Sequence, residues 1–266
     1  MLGLFLHGIS KPPAGFTPPD TSIFDYTKSC IIGSGPACLT KVSLLMLLSV
    51  VIISVLFLAA FRKPKLIPTG IQNAMEAIVD FIRDGIALEV MGPAGLAYVP
   101  FFTTIFVFVW VNNVFGIIPG IQFPTTSRMA IPLMLAVLVW LVFNIAGIRA
   151  QGGGHYLKSV LFPPGVPKPI YILVTPIEFV SVFLLRPLTL SVRLLANMIA
   201  GHLILTIFFL GTWYLQFKIV TIPFAAASFA LGTFMTAFEV LVGLLQAYIF
   251  TLLTAVYISG ATSSEH

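Results

Sequence analysis

Five long apolar stretches and one amphipathic stretch set the pattern of this chain. Residues 41–61 are apolar after Lys41 and long enough to cross a hydrocarbon core of about 30 Å. Arg62, Lys63 and Lys65 follow at once, and Pro64 and Pro68 end the helix. Residues 71–90 read differently. Ile71, Met75, Ile78, Val79, Ile82 and Ile86 fall on one helical face, with Glu76, Asp80, Arg83 and Asp84 on the other. That is the pattern of a helix lying along a membrane surface. Residues 100–118 form a second span, carrying Asn112 and Asn113 near one end. Residues 119–129 are a turn rich in Pro, Gly and Thr, and 130–149 are a third span. A loop rich in Gly and Pro follows, holding His155, Lys158 and Lys168.

The last two apolar stretches, 170–212 and 219–259, are too long to stand upright. A helix over 170–212 runs to about 64 Å at 1.5 Å per residue, twice the hydrocarbon thickness. Either it tilts strongly, or an interfacial part precedes a span near 194–212. Trp213, Tyr214, Lys218 and Pro223 mark a turn between the two. The expected fold is therefore an all-α integral membrane protein, a single membrane domain over 1–266. It has five membrane-crossing helices, one surface helix, an N-terminal exterior segment over 1–40, and a C-terminal hairpin of two tilted helices.

Composition agrees. Of 266 residues, 58% are hydrophobic and 9% charged, against about a quarter charged in soluble domains. The net charge of +5 is scattered singly, with none of the clustered basic surface that binds nucleic acid. Counted over the loops, Lys and Arg favour an exterior N-terminus and a cytoplasmic C-terminus. No Cys/His metal spacing, phosphate-cradling Gly-rich loop or HExxH pair occurs. No bound cofactor is expected, and the chain reads as no enzyme in itself. No short apolar core with a small-residue cleavage site precedes the first span, so no removed signal peptide is expected. Cys30 and Cys38 either close a small disulfide loop facing an oxidising exterior or remain two thiols.

The informative feature is polar chemistry inside the last two stretches: Glu178, Arg186, Arg193, Asn197, His202, Glu239 and Gln246. An ionisable group at mid-membrane costs roughly 2.5–3.5 kcal/mol on insertion scales, and such groups pair, face water or act there. Arginine keeps its charge at any biological pH, so Arg193 cannot pass protons but can hold a mobile negative charge. In an antiparallel hairpin whose turn is centred near residue 220, Arg193 falls level with Gln246, and His202 with Glu239. The second pair lies about 14 Å nearer the turn. An imidazole and a carboxylate at one depth make a proton relay or a buried static pair. On an ideal helix Arg186, Arg193 and Asn197 share a face within about 40°, and His202 points about 180° from Arg193.

Residues 186–205, RPLTLSVRLLANMIAGHLIL, resemble the signature helix of the a subunits of F-type ATP synthases. EVLVGLLQAYIFTLLTAVYIS at 239–259 looks like that family's last helix, and VWVNNVFGIIPG at 109–120 resembles its second-span motif. The resemblance implies two offset proton half-channels beside a rotating ring of c subunits, with ATP chemistry on other chains. Arg193 matches the family's essential arginine. His202 and Glu239 match the relay positions, with acid and imidazole in the reverse of the order some members show. Asn197 and Gln246 match polar positions near the arginine. Glu178 matches an acid of the half-channel on the catalytic-head side, spaced one residue further from Arg193 than in some relatives. Arg186 is a second gate-side charge or an interfacial anchor; Asn112 and Asn113 hydrate a channel or pack helices. The implied partners are the c-ring, the peripheral-stalk b subunit, the rest of the synthase and the bilayer. The implied location is a bacterial plasma membrane. A secondary transporter would show internal repeats and a membrane enzyme a nucleophile–base pair or metal set; neither is visible.

Overall fold

A computed structural model describes residues 30–32, 39–62, 64–118, 128–162, 170–217 and 219–262. Two short strands, β1 (Cys30–Ile32) and β2 (Leu39–Thr40), pair antiparallel. The helices begin at α1, Lys41–Phe61. The readings of residues 1–29, Cys38, the turn at 119–127, Lys168 and Lys218 lie outside the described residues.

The amphipathic stretch is α2, Ile71–Ile82, continued by a π-helical turn at Arg83–Leu88 and a short helix at Glu89–Met91. Met75, Ile82 and Ile86 of its apolar face are buried. Gln72 ties the preceding loop to it: the side-chain amide donates to the Lys65 carbonyl at 3.0 Å, and the Lys65 amide donates back to Oε1 at 3.1 Å. Gly92 stops the run with φ of 61°, a left-handed conformation that glycine adopts without strain. A 3₁₀ stretch over Gly92–Tyr98 folds back on the π-turn. Its Gly95 lies so close to the Ala87 carbonyl that no Cβ would fit. The chain then enters α3, Val99–Ile117.

Helix α4 spans Ala130–Gln151. Gly152, with φ of 81°, caps it by donating to the Ile148 carbonyl at 2.9 Å. The segment that follows corrects the sequence reading: instead of a loop, Gly153–Leu161 form a helix, α5. Two glycines at its start weaken helix propensity. The gain is burial of the Tyr156 ring, which packs where Gly147 has no side chain.

The long apolar stretch of residues 170–212 is helical throughout: α6 (Tyr171–Val180), a π-turn at Ser181–Leu185, and α7 (Arg186–Leu215). After a 3₁₀ turn at Ile219–Thr221 comes α8, Ile222–Thr262. Its 41 residues measure about 62 Å, so it crosses a bilayer only when tilted. Among the described residues, five helical runs are long and apolar enough to cross a membrane. Many of their large apolar side chains face outward, among them Leu58, Leu184 and Phe234, as lipid-facing surfaces require.

The chain forms two compact units. One contains the described residues up to Ile52 and those within Phe108–Arg128 and Leu195–Gln246; the other contains the described residues within Ile53–Val107, Met129–Leu194 and Ala247–His266. In the first, α7 and α8 pack antiparallel as the expected hairpin. Ser228 Oγ donates to the Phe208 carbonyl at 2.8 Å, and the Phe209 and Phe229 rings meet edge-on at 6.3 Å. In the second, Phe81 of α2 packs its ring against Phe106 and Tyr248, and Ser259 Oγ donates to the Val90 carbonyl at 3.3 Å.

Candidate functional site

Within the first unit, the hairpin brings Glu239 of α8 against α7 at Gly201. Both carboxylate oxygens are shut off from solvent and have no hydrogen-bond partner in the protein. His202 follows Gly201 in sequence but makes no hydrogen bond to that carboxylate, because neither Glu239 oxygen accepts one. A cavity of about 150 Å³ opens beside the carboxylate. Asn197, Ala200 and Gly201 from α7 and Met235, Phe238 and Glu239 from α8 line it. Asn197 and Glu239, two of the residues singled out from sequence, therefore share one cavity.

The other polar positions of this unit divide by how well they are satisfied. Asn112 is fully buried and donates to the Phe108 carbonyl at 2.8 Å and to Ser49 Oγ at 3.3 Å. It joins α1 to α3. Asn113 donates to the Gly243 carbonyl at 3.0 Å, while its own Oδ1 is buried without a partner. Gln246 is buried with Nε2 unpartnered. An unpaired buried polar group costs about 1–3 kcal/mol, so this unit holds polarity that its own packing does not satisfy.

Within the second unit, Arg193 is exposed and makes no ion pair or hydrogen bond among the described residues. Around it Leu190, Ser191 and Leu194 are buried, so the helix turns its apolar side inward and the guanidinium outward. Arg186 is held differently. Its guanidinium carbon lies 5.1 Å from the Tyr257 ring centre and 5.9 Å from that of Phe143, cation–π distances.

The π-turn at Ser181–Leu185 lies between Glu178 and Arg186, and nothing in the residue pattern announced it. In a straight α-helix, eight residues at 100° each would leave the two about 80° apart. A π-turn accommodates one more residue per turn, which brings them to within about 20°. Glu178, Arg186 and Arg193 thus follow one face of this run. Glu178 is half-buried.

Among the described residues no cluster of three or more His, Cys, Asp or Glu side chains is placed to hold a metal. The described chemistry consists of an outward-facing fixed cation, a partnerless carboxylate at a cavity, and membrane-length helices. These features define a polytopic helical membrane protein that carries charged side chains on its membrane-length helices.

Comparison with known proteins gives the family. The profile of the ATP synthase A chain family matches residues 43–259. An ATP synthase subunit a of Frankia alni is 43% identical over 95% of this chain and 88% of its own length. The subunit a of Rhodococcus erythropolis is 44% identical over 90% and 88%, and that of a Nocardioides species 38% identical over 95% of both. The chain belongs to the ATP synthase A chain family. It is a membrane subunit of the proton-channel sector and is non-catalytic, ATP chemistry residing on other subunits of the complex.

Proposed function

We propose that this chain forms two offset proton half-channels beside the c-ring of a bacterial F-type ATP synthase and so couples proton flow to ring rotation. The observation that carries the reading is Arg193: a permanent cation on a membrane-length helix, facing outward with no partner among the described residues. A charge left so in lipid costs several kcal/mol. A carboxylate arriving on a neighbouring rotor would offset that cost each time it came past deprotonated. The fixed positive charge would also repel protons and prevent a direct leak between half-channels.

Glu239 and His202 serve as relay groups on the side away from the catalytic head. The partnerless state of both Glu239 oxygens favours a proton-exchanging carboxylate over a static pair with His202. Asn197 and Gln246 line the path near the arginine, and Glu178 belongs to the half-channel on the catalytic-head side. Asn113, with its unpartnered Oδ1, fits a hydrated wall; Asn112 fits helix packing. Arg186, clasped by Phe143 and Tyr257, serves as an anchor. The surface helix α2 offers a docking face for the peripheral-stalk b subunit. The chain lies in the bacterial plasma membrane with its N-terminus outside and its C-terminus cytoplasmic.

The test is Arg193→Ala in inverted membrane vesicles. ATP-driven proton pumping should fall to background while the complex assembles at its usual level. Pumping at the wild-type rate would overturn the assigned role.

A further inference from the structure

Gly201 stands out among the glycines of the hairpin by what a side chain there would meet. At Gly211 an added Cβ would lie 3.3 Å from Ser228 Oγ, and at Gly232 it would lie 3.3 Å from Phe208 Cβ, tight but ordinary helix packing. At Gly201 it would lie 2.6 Å from Glu239 Oε1, 3.0 Å from Cδ and 3.3 Å from Cγ. All three contacts belong to one side chain, and the nearest is its flexible tip. The Glu239 carboxylate thus rests directly on the bare backbone of α7.

No donor fixes it there, since neither oxygen has a hydrogen-bond partner in the protein. Its position is set by shape alone: the open surface of Gly201 on one side and the cavity of about 150 Å³ on the other. That volume admits a few waters at about 30 Å³ each, next to the Glu239 side chain but with both carboxylate oxygens closed off from it. A glycine in a helix interior also works against the helix relative to alanine, so residue 201 is not placed for helix stability. We propose that Gly201 is a positioning residue, whose missing side chain makes the berth that holds the Glu239 carboxylate against α7. The inference rests on the reading of Glu239 as a relay group.

The geometry dictates a compensation test in the intact synthase, read as ATP-driven proton pumping by inverted vesicles across a range of pH. Gly201→Ala forces the carboxylate off its berth, and pumping should slow about tenfold or more, as misplaced reacting groups do, with a shifted pH profile. Glu239→Asp in that background draws the carboxylate back by one methylene and should restore much of the rate, although Glu239→Asp alone slows pumping. Should Gly201→Ala block assembly, the doubly substituted complex should assemble, because the conflict is relieved. Wild-type rate and pH profile in Gly201→Ala, or a defect that Glu239→Asp does not relieve, would overturn the proposal. Glu239→Gln separates the two ideas: unchanged pumping in that variant sinks the relay reading itself. Lost pumping there, with Gly201→Ala like wild type, sinks the berth alone.

Discussion

The two units differ in how far they satisfy their buried polarity. In the unit that holds most of the hairpin, both oxygens of Glu239, Nε2 of Gln246 and Oδ1 of Asn113 are buried without partners. In the other, the Tyr156 hydroxyl donates to Asn144 Oδ1 at 3.1 Å, Asn144 Nδ2 to the Trp140 carbonyl at 2.7 Å, and Gln151 Nε2 to the Ala261 carbonyl at 3.1 Å. Among the described residues of that unit the Trp140 indole nitrogen is the exception. Satisfied networks of the second kind hold a structure together. Unsatisfied groups of the first kind cost stability, and a native protein retains them where water, ions or chemistry will meet them. Under the proposed function, the difference separates polar residues that build the protein from those that act in it.

Two glycines sharpen the contrast, and they give the largest effect expected on stability. At Gly147 an added Cβ would run into the Tyr156 ring and lie 3.0 Å from the Ala261 backbone carbonyl. Neither obstacle is the end of a flexible chain, unlike the carboxylate opposite Gly201. Gly147→Ala should therefore destabilise the protein by about 1–3 kcal/mol, the usual cost of overpacking. The expected readout is less assembled complex and a lower melting temperature, with normal pumping per assembled complex. Normal assembly with lost pumping would reverse the roles assigned to the two regions.

A smaller effect is expected from Tyr156→Phe. The ring still fills its place over Gly147, but Asn144 Oδ1 loses its donor. Burial pushes the Tyr156 phenol up, the Arg186 charge pulling the other way, so the hydroxyl remains protonated and donating at neutral pH. Loss of the bond and exposure of an unpaired acceptor should cost about 1–3 kcal/mol, nearer the lower end. Thermal melting of the purified complex should detect it, while the pumping rate per complex stays unchanged. A change in the pH profile of pumping instead would put Tyr156 in the proton path.

The helices were legible because the bilayer dictates their length. The first span is 41–61 in the residue pattern and Lys41–Phe61 in the structure; the third runs only two residues past its expected end, to Gln151. The antiparallel pairing of the last two helices was legible too, since two long apolar helices joined by a short turn have little other choice. It placed residues near 202 level with Glu239, and the carboxylate meets α7 at Gly201. Three features were hidden. Helix α5 begins with glycines, and only tertiary burial of Tyr156 outweighs their propensity. The π-turn at Ser181–Leu185 leaves no composition signal, because it changes the hydrogen-bond register and not the residue types. The Gly201 berth depends on which side of α7 the Glu239 tip takes, which residue spacing does not specify.

The smallest effect is expected at the charged face of the surface helix around Arg83, where the ionic groups are neither buried nor orphaned. Arg83 Nε and Nη2 reach Asp84 at 2.8 and 3.0 Å, and Nη1 reaches Asp80 at 3.0 Å. The hydrogen bond from Arg83 holds the Asp84 carboxyl below its ordinary range. Whatever the pair contributes is thus present above that range and lost as pH falls through the lowered value. All three side chains are about half exposed, and solvent screens such pairs. Asp84→Asn should accordingly leave the melting temperature of the complex unchanged near neutral pH, at low salt and high. With no internal stability at stake there, a loss of co-purifying stalk subunits in this variant could come only from a partner that reads the charge. Such a loss would place a stalk contact at Asp84, whereas full retention would move stalk docking to another part of the molecule.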